Sequence, residues 1–128
     1  MPNVRGFSTE AEEQTALFQW AGYVPELDYM FAIPNGGSRN VIEAANLKRQ
    51  GVKAGVPDIF LPVPRGPYHG LWIEMKVKPN KLTEKQRDWL AFLSRMGYRT
   101  AVCYGMNEAR RDIVEYMQIG RERYEVKG

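Results

Sequence analysis

Apolar residues recur at helical spacing in four stretches of the chain and as short continuous runs in four others. Thr9-Glu10-Ala11-Glu12 has the form of a capping box, with Thr9 as N-cap. Ala16, Leu17, Trp20 and Ala21 follow as an apolar stripe, and Gly22 stops that helix. Residues 29–33 read as a short strand halted by Pro34-Asn35-Gly36-Gly37. Ser38 is placed to cap a second helix running to Gln50, with Val41, Ala44, Ala45 and Leu47 inward and Gly51 as its stop. Residues 58–61 form a compact apolar strand entered from Pro57, and a turn rich in Pro and Gly leads to a second strand over 71–76.

Thr83-Glu84-Lys85-Gln86 is another capping box. It opens a helix with Trp89, Leu90, Phe92, Leu93 and Met96 inside and Gly97 at its end. Residues 100–104 form a buried-type strand. Asn107 is expected to cap a last helix, with Ile113, Val114 and Met117 inward and Gly120 as its stop. The expected order is α-β-α-β-β-α-β-α, a mixed α/β domain in which helices flank a central sheet. At 128 residues one domain is expected, over 1–128, with a frayed tail over 121–128.

With 44% hydrophobic and 26% charged residues the chain can fill a core, which excludes the composition of a disordered polymer. No apolar run approaches the ~20 residues that span a bilayer, and residues 1–6 carry no apolar leader core. A cytoplasmic protein without membrane contact is the expectation. The single cysteine, Cys103, excludes an internal disulfide and a cysteine-rich zinc site, and reads as core. The single histidine, His69, leaves a Ser-His-Asp triad or a histidine metal cage little to build from, and reads as a turn residue. Polar chemistry must come from carboxylates, lysine and arginine.

The net charge of +3 is unevenly spread. Residues 1–38 carry one arginine against five acids, whereas residues 39–99 carry twelve basic and five acidic side chains, or +7. An acidic start beside a basic middle suits a polyanion held near a small acidic site, and equally suits a solvated lysine surface.

Three charged residues stand out on the central hairpin. Asp58 follows Pro57 at the start of one strand; Glu74 and Lys76 lie two apart on the next and share a face, opposite Leu71, Ile73 and Met75. If the strands pair, Asp58 approaches Glu74. Two adjacent carboxylates repel unless a cation lies between them, and Mg²⁺ or Mn²⁺ suits such oxygen ligands. A Glu-x-Lys pair alone is commonplace and worth under ~1 kcal/mol on a surface. Joined to Pro-Asp on a strand-turn-strand it is more specific, since a neighbouring lysine can position a metal-bound water or neutralise a developing phosphorane charge.

Pro57-Asp58 with Glu74-Met75-Lys76 resembles the PD-(D/E)xK nuclease signature. The segments Ile33-Pro34-Asn35-Gly36-Gly37-Ser38-Arg39, 51–59, 69–76, 82–90 and Gly97-Tyr98 resemble the stand-alone VRR-NUC nucleases of phages and prophages, over about residues 8–118. The resemblance implies a restriction-endonuclease-like core. Asp58, Glu74 and the main-chain carbonyl of Met75 would hold Mg²⁺ or Mn²⁺, and Lys76 would be the catalytic lysine. A helix-one glutamate would stand near the metal. Glu10, Glu12 and Glu13 compete for that place; Glu12 has its capping box, so Glu13, three before the inward Ala16, is preferred. Gln86 would be the family's glutamine, or only the N3 member of the Thr83 capping box, the two being compatible if its amide points away from the cap. Arg39, Lys48, Arg49, Lys53, Lys78 and Lys81 can clamp phosphates, and Asn35-Gly36-Gly37 can bring N–H groups to one. Trp20, Trp89 and Phe92 read as core, not as a stacking platform for bases.

The resemblance further implies a homodimer acting on branched DNA such as a four-way (Holliday) junction, in the bacterial host cytoplasm if phage-encoded. Other readings stay open: a DNA-binding module that keeps the fold without cleavage, a general nuclease without branch selectivity, or a protein-interaction domain, which the +7 segment disfavours.

Overall fold

The computed structural model describes residues 8–34 and 40–120. The Asn35-Gly36-Gly37 turn, Ser38, Arg39 and the tail over 121–128 lie outside the described residues. In chain order come α1 (Glu10–Ala21), a 3₁₀ turn (Pro25–Leu27), β1 (Phe31–Ala32), α2 (Val41–Arg49), β2 (Ile59–Leu61), β3 (Leu71–Lys76), α3 (Glu84–Arg95), β4 (Arg99–Tyr104) and α4 (Met106–Gln118). This is the expected α-β-α-β-β-α-β-α order. The strands form one sheet, β1-β2-β3-β4, antiparallel except for the β3–β4 pair. A parallel neighbour requires a crossover, and α3 supplies it between β3 and β4.

Strand alternation gives the sheet two unlike faces. Leu71, Ile73 and Met75 are buried with Leu17 and Ala21 of α1 and Ile113, Tyr116 and Met117 of α4, forming the main core. Each fully buried large aliphatic there contributes about 1.5–3 kcal/mol. The Tyr116 hydroxyl donates to Val63 O at 2.6 Å, so its burial leaves no polar atom stranded. Cys103 belongs to this core; burial, then its contact with Asp112, pushes the thiol up, and it is no nucleophile. The other face carries Trp72, Glu74 and Lys76 on β3. There Phe60 stacks on Trp72 at 4.3 Å between ring centres, with Phe31 and Tyr98 edge-on to Phe60.

Both expected capping boxes are present, at Thr9 with Glu12 and at Thr83 with Gln86. Other elements differ from the sequence pattern. The first strand shrinks to Phe31–Ala32, because only those two residues find partners on β2. Asn40, not Ser38, caps α2, accepting from the Glu43 N–H at 2.7 Å. None of the α2 residues is buried, and Val41 is 85% exposed, so its apolar residues do not face the core. On α3, Leu90 and Leu93 are buried, whereas Phe92 and Met96 are exposed and Trp89 is half-buried. Val114 of α4 is exposed as well. Asn107 is not the cap of α4: the helix starts from Gly105, whose φ of +95° suits glycine, and no side chain of the cap residue closes it.

Candidate active site

Hairpin register brings the acid pair together. Ile59 of β2 lies opposite Ile73 of β3, so Asp58, one residue before, and Glu74, one after, stand across from each other where the pairing ends. The Asp58 carbonyl accepts from the Ile33 N–H at 2.7 Å, and its side-chain Oδ2 accepts from the Met75 N–H at 2.8 Å. One residue thus fixes the main chain between Glu74 and Lys76 while presenting its carboxylate beside them. Glu74 is 2% and Lys76 6% exposed, far more buried than surface charges.

Such burial is costly without a compensating charge. Glu74 is pushed up to about 9, first by burial and then by the negative charge of Asp58; Lys76 works against that shift. Asp58 is raised too, by burial above all, with its bond to Met75 opposing. Glu74 Oε1 is buried and has no hydrogen-bond donor; among the described residues only Trp72 Nε1 shares that condition. Two raised carboxyls and an orphaned oxygen make a site that favours the protonated form in this state.

Gln86 is hydrogen-bonded at both ends of its side-chain amide. Its Oε1 accepts from the Thr83 N–H at 2.9 Å, and its Nε2 donates to Glu74 Oε2 at 3.2 Å. The amide therefore does not turn from the cap, as compatibility had required; it uses its oxygen for the cap and its nitrogen for the carboxylate.

The three helix-one glutamates have different partners. Glu13 Oε1 accepts from the Met106 N–H at 2.7 Å, supplying the cap that α4 lacks of its own. Glu10 accepts from Asn80 Nδ2 at 3.1 Å, and its charge raises both Asp58 and Glu74. Asn80 in turn accepts through its carbonyl from the Tyr104 hydroxyl at 3.1 Å, which ties Glu10 to the end of β4. Glu12 is committed to the Thr9 N–H. Among the described residues no three Asp, Glu, His or Cys side chains converge as a metal group.

The basic candidates fall into separate groups. Lys48 and Lys53 line a cleft of about 660 Å³ between α2 and α3, together with Lys85 and Trp89. Arg49 is hydrogen-bonded to Asn46 on its own helix. Lys78 and Lys81 are exposed in the segment between β3 and α3, and Arg39 lies outside the described residues. Sequence reasoning did not single out Asn80 or Lys85, and it assigned Trp89 to the core, where it is half-buried. No helix among the described residues is long and apolar enough to cross a membrane.

The sequence model of the VRR-NUC domain family matches residues 9–107. A solved structure described as a "VRR_NUC domain protein" is similar with a TM-score of 0.79 and 34% identity, over 89% of this chain and 92% of the other. No curated protein matches the chain.

Proposed function

The chain belongs to the VRR-NUC domain family, and as a nuclease-type, DNA-acting domain we propose that it is a Mg²⁺- or Mn²⁺-dependent endonuclease that hydrolyses DNA phosphodiester bonds. The observation that carries this reading is the half-buried Asp58 set beside the buried Glu74, with Lys76 buried on the same strand face as Glu74. A structural hairpin gains nothing from burying two like charges together.

The donor set suits a hard divalent cation. Two carboxylates that repel each other and the orphaned Glu74 Oε1 offer oxygen ligands, with the Met75 carbonyl beside them on β3. Glu10, whose charge already reaches both carboxyls, is the helix-one acid that best complements them. A bound divalent ion supplies Lewis-acid stabilisation of charge on the scissile phosphate. Asp58 and Glu74 would hold that ion, and Gln86 fixes Glu74 by its amide N–H. Asp58 keeps the main chain taut between Glu74 and Lys76 through the Met75 N–H. Lys76 orients the attacking water and offsets the negative charge that develops on the phosphate.

The substrate we propose is branched DNA, with a four-way junction as its fullest form, cut by a homodimer. One chain carries one acid pair, and symmetric incision of a junction needs two related by a two-fold axis. Labelled junction, flap, splayed-arm and linear duplex DNA, each incubated with Mg²⁺, Mn²⁺ or EDTA, test the reading. Cleavage that needs the metal and favours the junction is the expected result. Equal cutting of linear duplex leaves a general nuclease as the better description, and no cleavage of any substrate leaves a DNA-binding module on this fold.

A further inference from the structure

We infer that the cleft between α2 and α3 is a seat for an unpaired nucleotide, with the indole of Trp89 stacking on its base and Lys48, Lys53 and Lys85 taking the flanking phosphates. The inference deepens the nuclease reading and rests on it in naming DNA as the polymer.

The cleft, at about 660 Å³, falls within the ligand-sized range of roughly 300–1,000 Å³. Its lining is of two kinds. Leu47, Val52 and Trp89 offer an apolar wall, and the three lysines stand against the single carboxylate of Asp88. Among the described residues none of these lysines is in an ion pair. A wall that is apolar and aromatic with a cationic rim matches one chemistry in particular: a flat base joined to a phosphate chain. A double helix hides its bases in the stack, so such a seat serves only an unpaired nucleotide.

Helical spacing assigned Trp89 to the core, yet the residue is half-buried and faces this cleft. Phe92 packs edge-on against it at 6.2 Å between ring centres, with the Arg95 guanidinium over Phe92, and neither residue lines the cleft. The cleft is also joined to the acid pair. At Gly55 an added Cβ would lie 2.8 Å from the Lys85 main chain, so the segment holding Lys53 and Ala54 is seated directly on the first turn of α3. Three residues beyond Gly55 stands Asp58, and next to Lys85 stands Gln86, which holds Glu74. The cleft wall and the acid pair are thereby carried on the same two chain segments. Branch selectivity follows, because unpaired nucleotides occur at flaps, splayed arms and opened junction centres.

The test is binding of a short labelled oligothymidylate and of a labelled duplex of equal length, by fluorescence anisotropy in EDTA, where no metal-dependent cleavage intervenes. Trp89→Ala is expected to weaken the single strand by about 5- to 150-fold, the loss that follows removal of one base–aromatic stack. Trp89→Phe should keep most of the affinity, and duplex binding should change less than twofold. An oligonucleotide with abasic positions should bind wild type weakly and be indifferent to Trp89→Ala. That comparison on wild type, with Lys53→Ala and Lys85→Ala, decides the matter even if Trp89→Ala does not fold. Unchanged single-strand affinity in Trp89→Ala, equal loss on duplex, or wild-type indifference to abasic positions overturns the inference. So does loss of self-association in Trp89→Ala, which would make the cleft an interface between two copies. Wild type is assayed for cleavage with Mg²⁺ in parallel. Failure to cut overturns the nuclease reading alone, whereas an unchanged Trp89→Ala affinity in a protein that cuts overturns the cleft alone.

Discussion

Gln86 holds Glu74 by the nitrogen of its side-chain amide, 3.2 Å from Oε2, while the oxygen of the same amide accepts the Thr83 N–H at 2.9 Å. The start of α3 and the orientation of the buried carboxylate therefore depend on one side chain. Gln86→Glu keeps an acceptor for the cap but sets a second acid against Glu74. We expect helicity near that of wild type, with metal affinity and cleavage lower by about 10- to 100-fold. Gln86→Ala loses the cap as well, costing about 1 kcal/mol of stability. Far-ultraviolet circular dichroism, thermal unfolding and calorimetric metal titration separate the two variants. Wild-type metal affinity in Gln86→Glu would contradict the positioning role.

The raised carboxyl pair makes the metal-free protein sensitive to pH. Glu74 is pushed up from an ordinary 4.5 to about 9 by burial and by Asp58. Between those values the unfolded chain has released the proton and the folded chain retains it, so stability falls as pH rises through that window. The effect is on the order of a few kcal/mol, at roughly 1.4 kcal/mol per unit. Glu74→Gln should flatten the pH dependence of the unfolding midpoint in EDTA. An unchanged slope in that variant would refute a proton held at Glu74. Divalent-ion binding must expel the same proton, so affinity should rise by about tenfold per pH unit below about 9.

Glu10 and Glu13 lie three apart on α1 and do different work. Glu13→Ala removes the acceptor for the Met106 N–H and should cost about 0.5–2 kcal/mol of stability, as loss of a helix cap does. Its cleavage rate at low temperature should stay near wild type. Glu10→Gln should leave the unfolding midpoint nearly unchanged and weaken metal binding and cleavage. The reverse pattern would restore Glu13 to the site.

The hairpin was legible because a period of two forces it: Leu71, Ile73 and Met75 inward leave Glu74 and Lys76 together, and antiparallel pairing then sets Asp58 opposite Glu74. The choice among helix-one glutamates was not. Glu10 and Glu13 share a helix face, and what divides them is the arrival of the α4 start, 93 residues away from Glu13 in the chain. Trp89, Phe92 and Met96 show a similar limit. Helical spacing finds an apolar face but not its edges, and here only Leu90 and Leu93 meet the sheet side while Trp89 turns to a cleft made by distant α2. Gln86 had two readings because each end of one amide has its own partner, and spacing along a chain cannot distinguish the ends.

Binding should depend steeply on salt. Each phosphate neutralised by a lysine adds about −0.9 to the slope of log affinity against log salt on duplex DNA. Lys78→Ala is expected to reduce that slope by about one such unit, and Lys53→Ala to reduce the slope on single-stranded DNA, about −0.7 per phosphate, by one unit, neither altering base preference. Arg49→Ala should change it less, since Arg49 is engaged by Asn46. Identical slopes in wild type and both lysine variants would remove them from the footprint.

The central claim is that Asp58 and Glu74 form a metal-dependent nuclease site, and cleavage of labelled DNA by Asp58→Asn and Glu74→Gln tests it most directly. Neither substitution changes core volume, so both proteins should fold and bind DNA, with binding equal to or tighter than wild type as negative charge is lost. Wild type should cut with Mg²⁺ or Mn²⁺ and fall silent in EDTA. Both variants should lose cleavage, as should Lys76→Ala, by orders of magnitude. Mg²⁺-dependent cutting by Asp58→Asn at a rate near wild type would contradict the account.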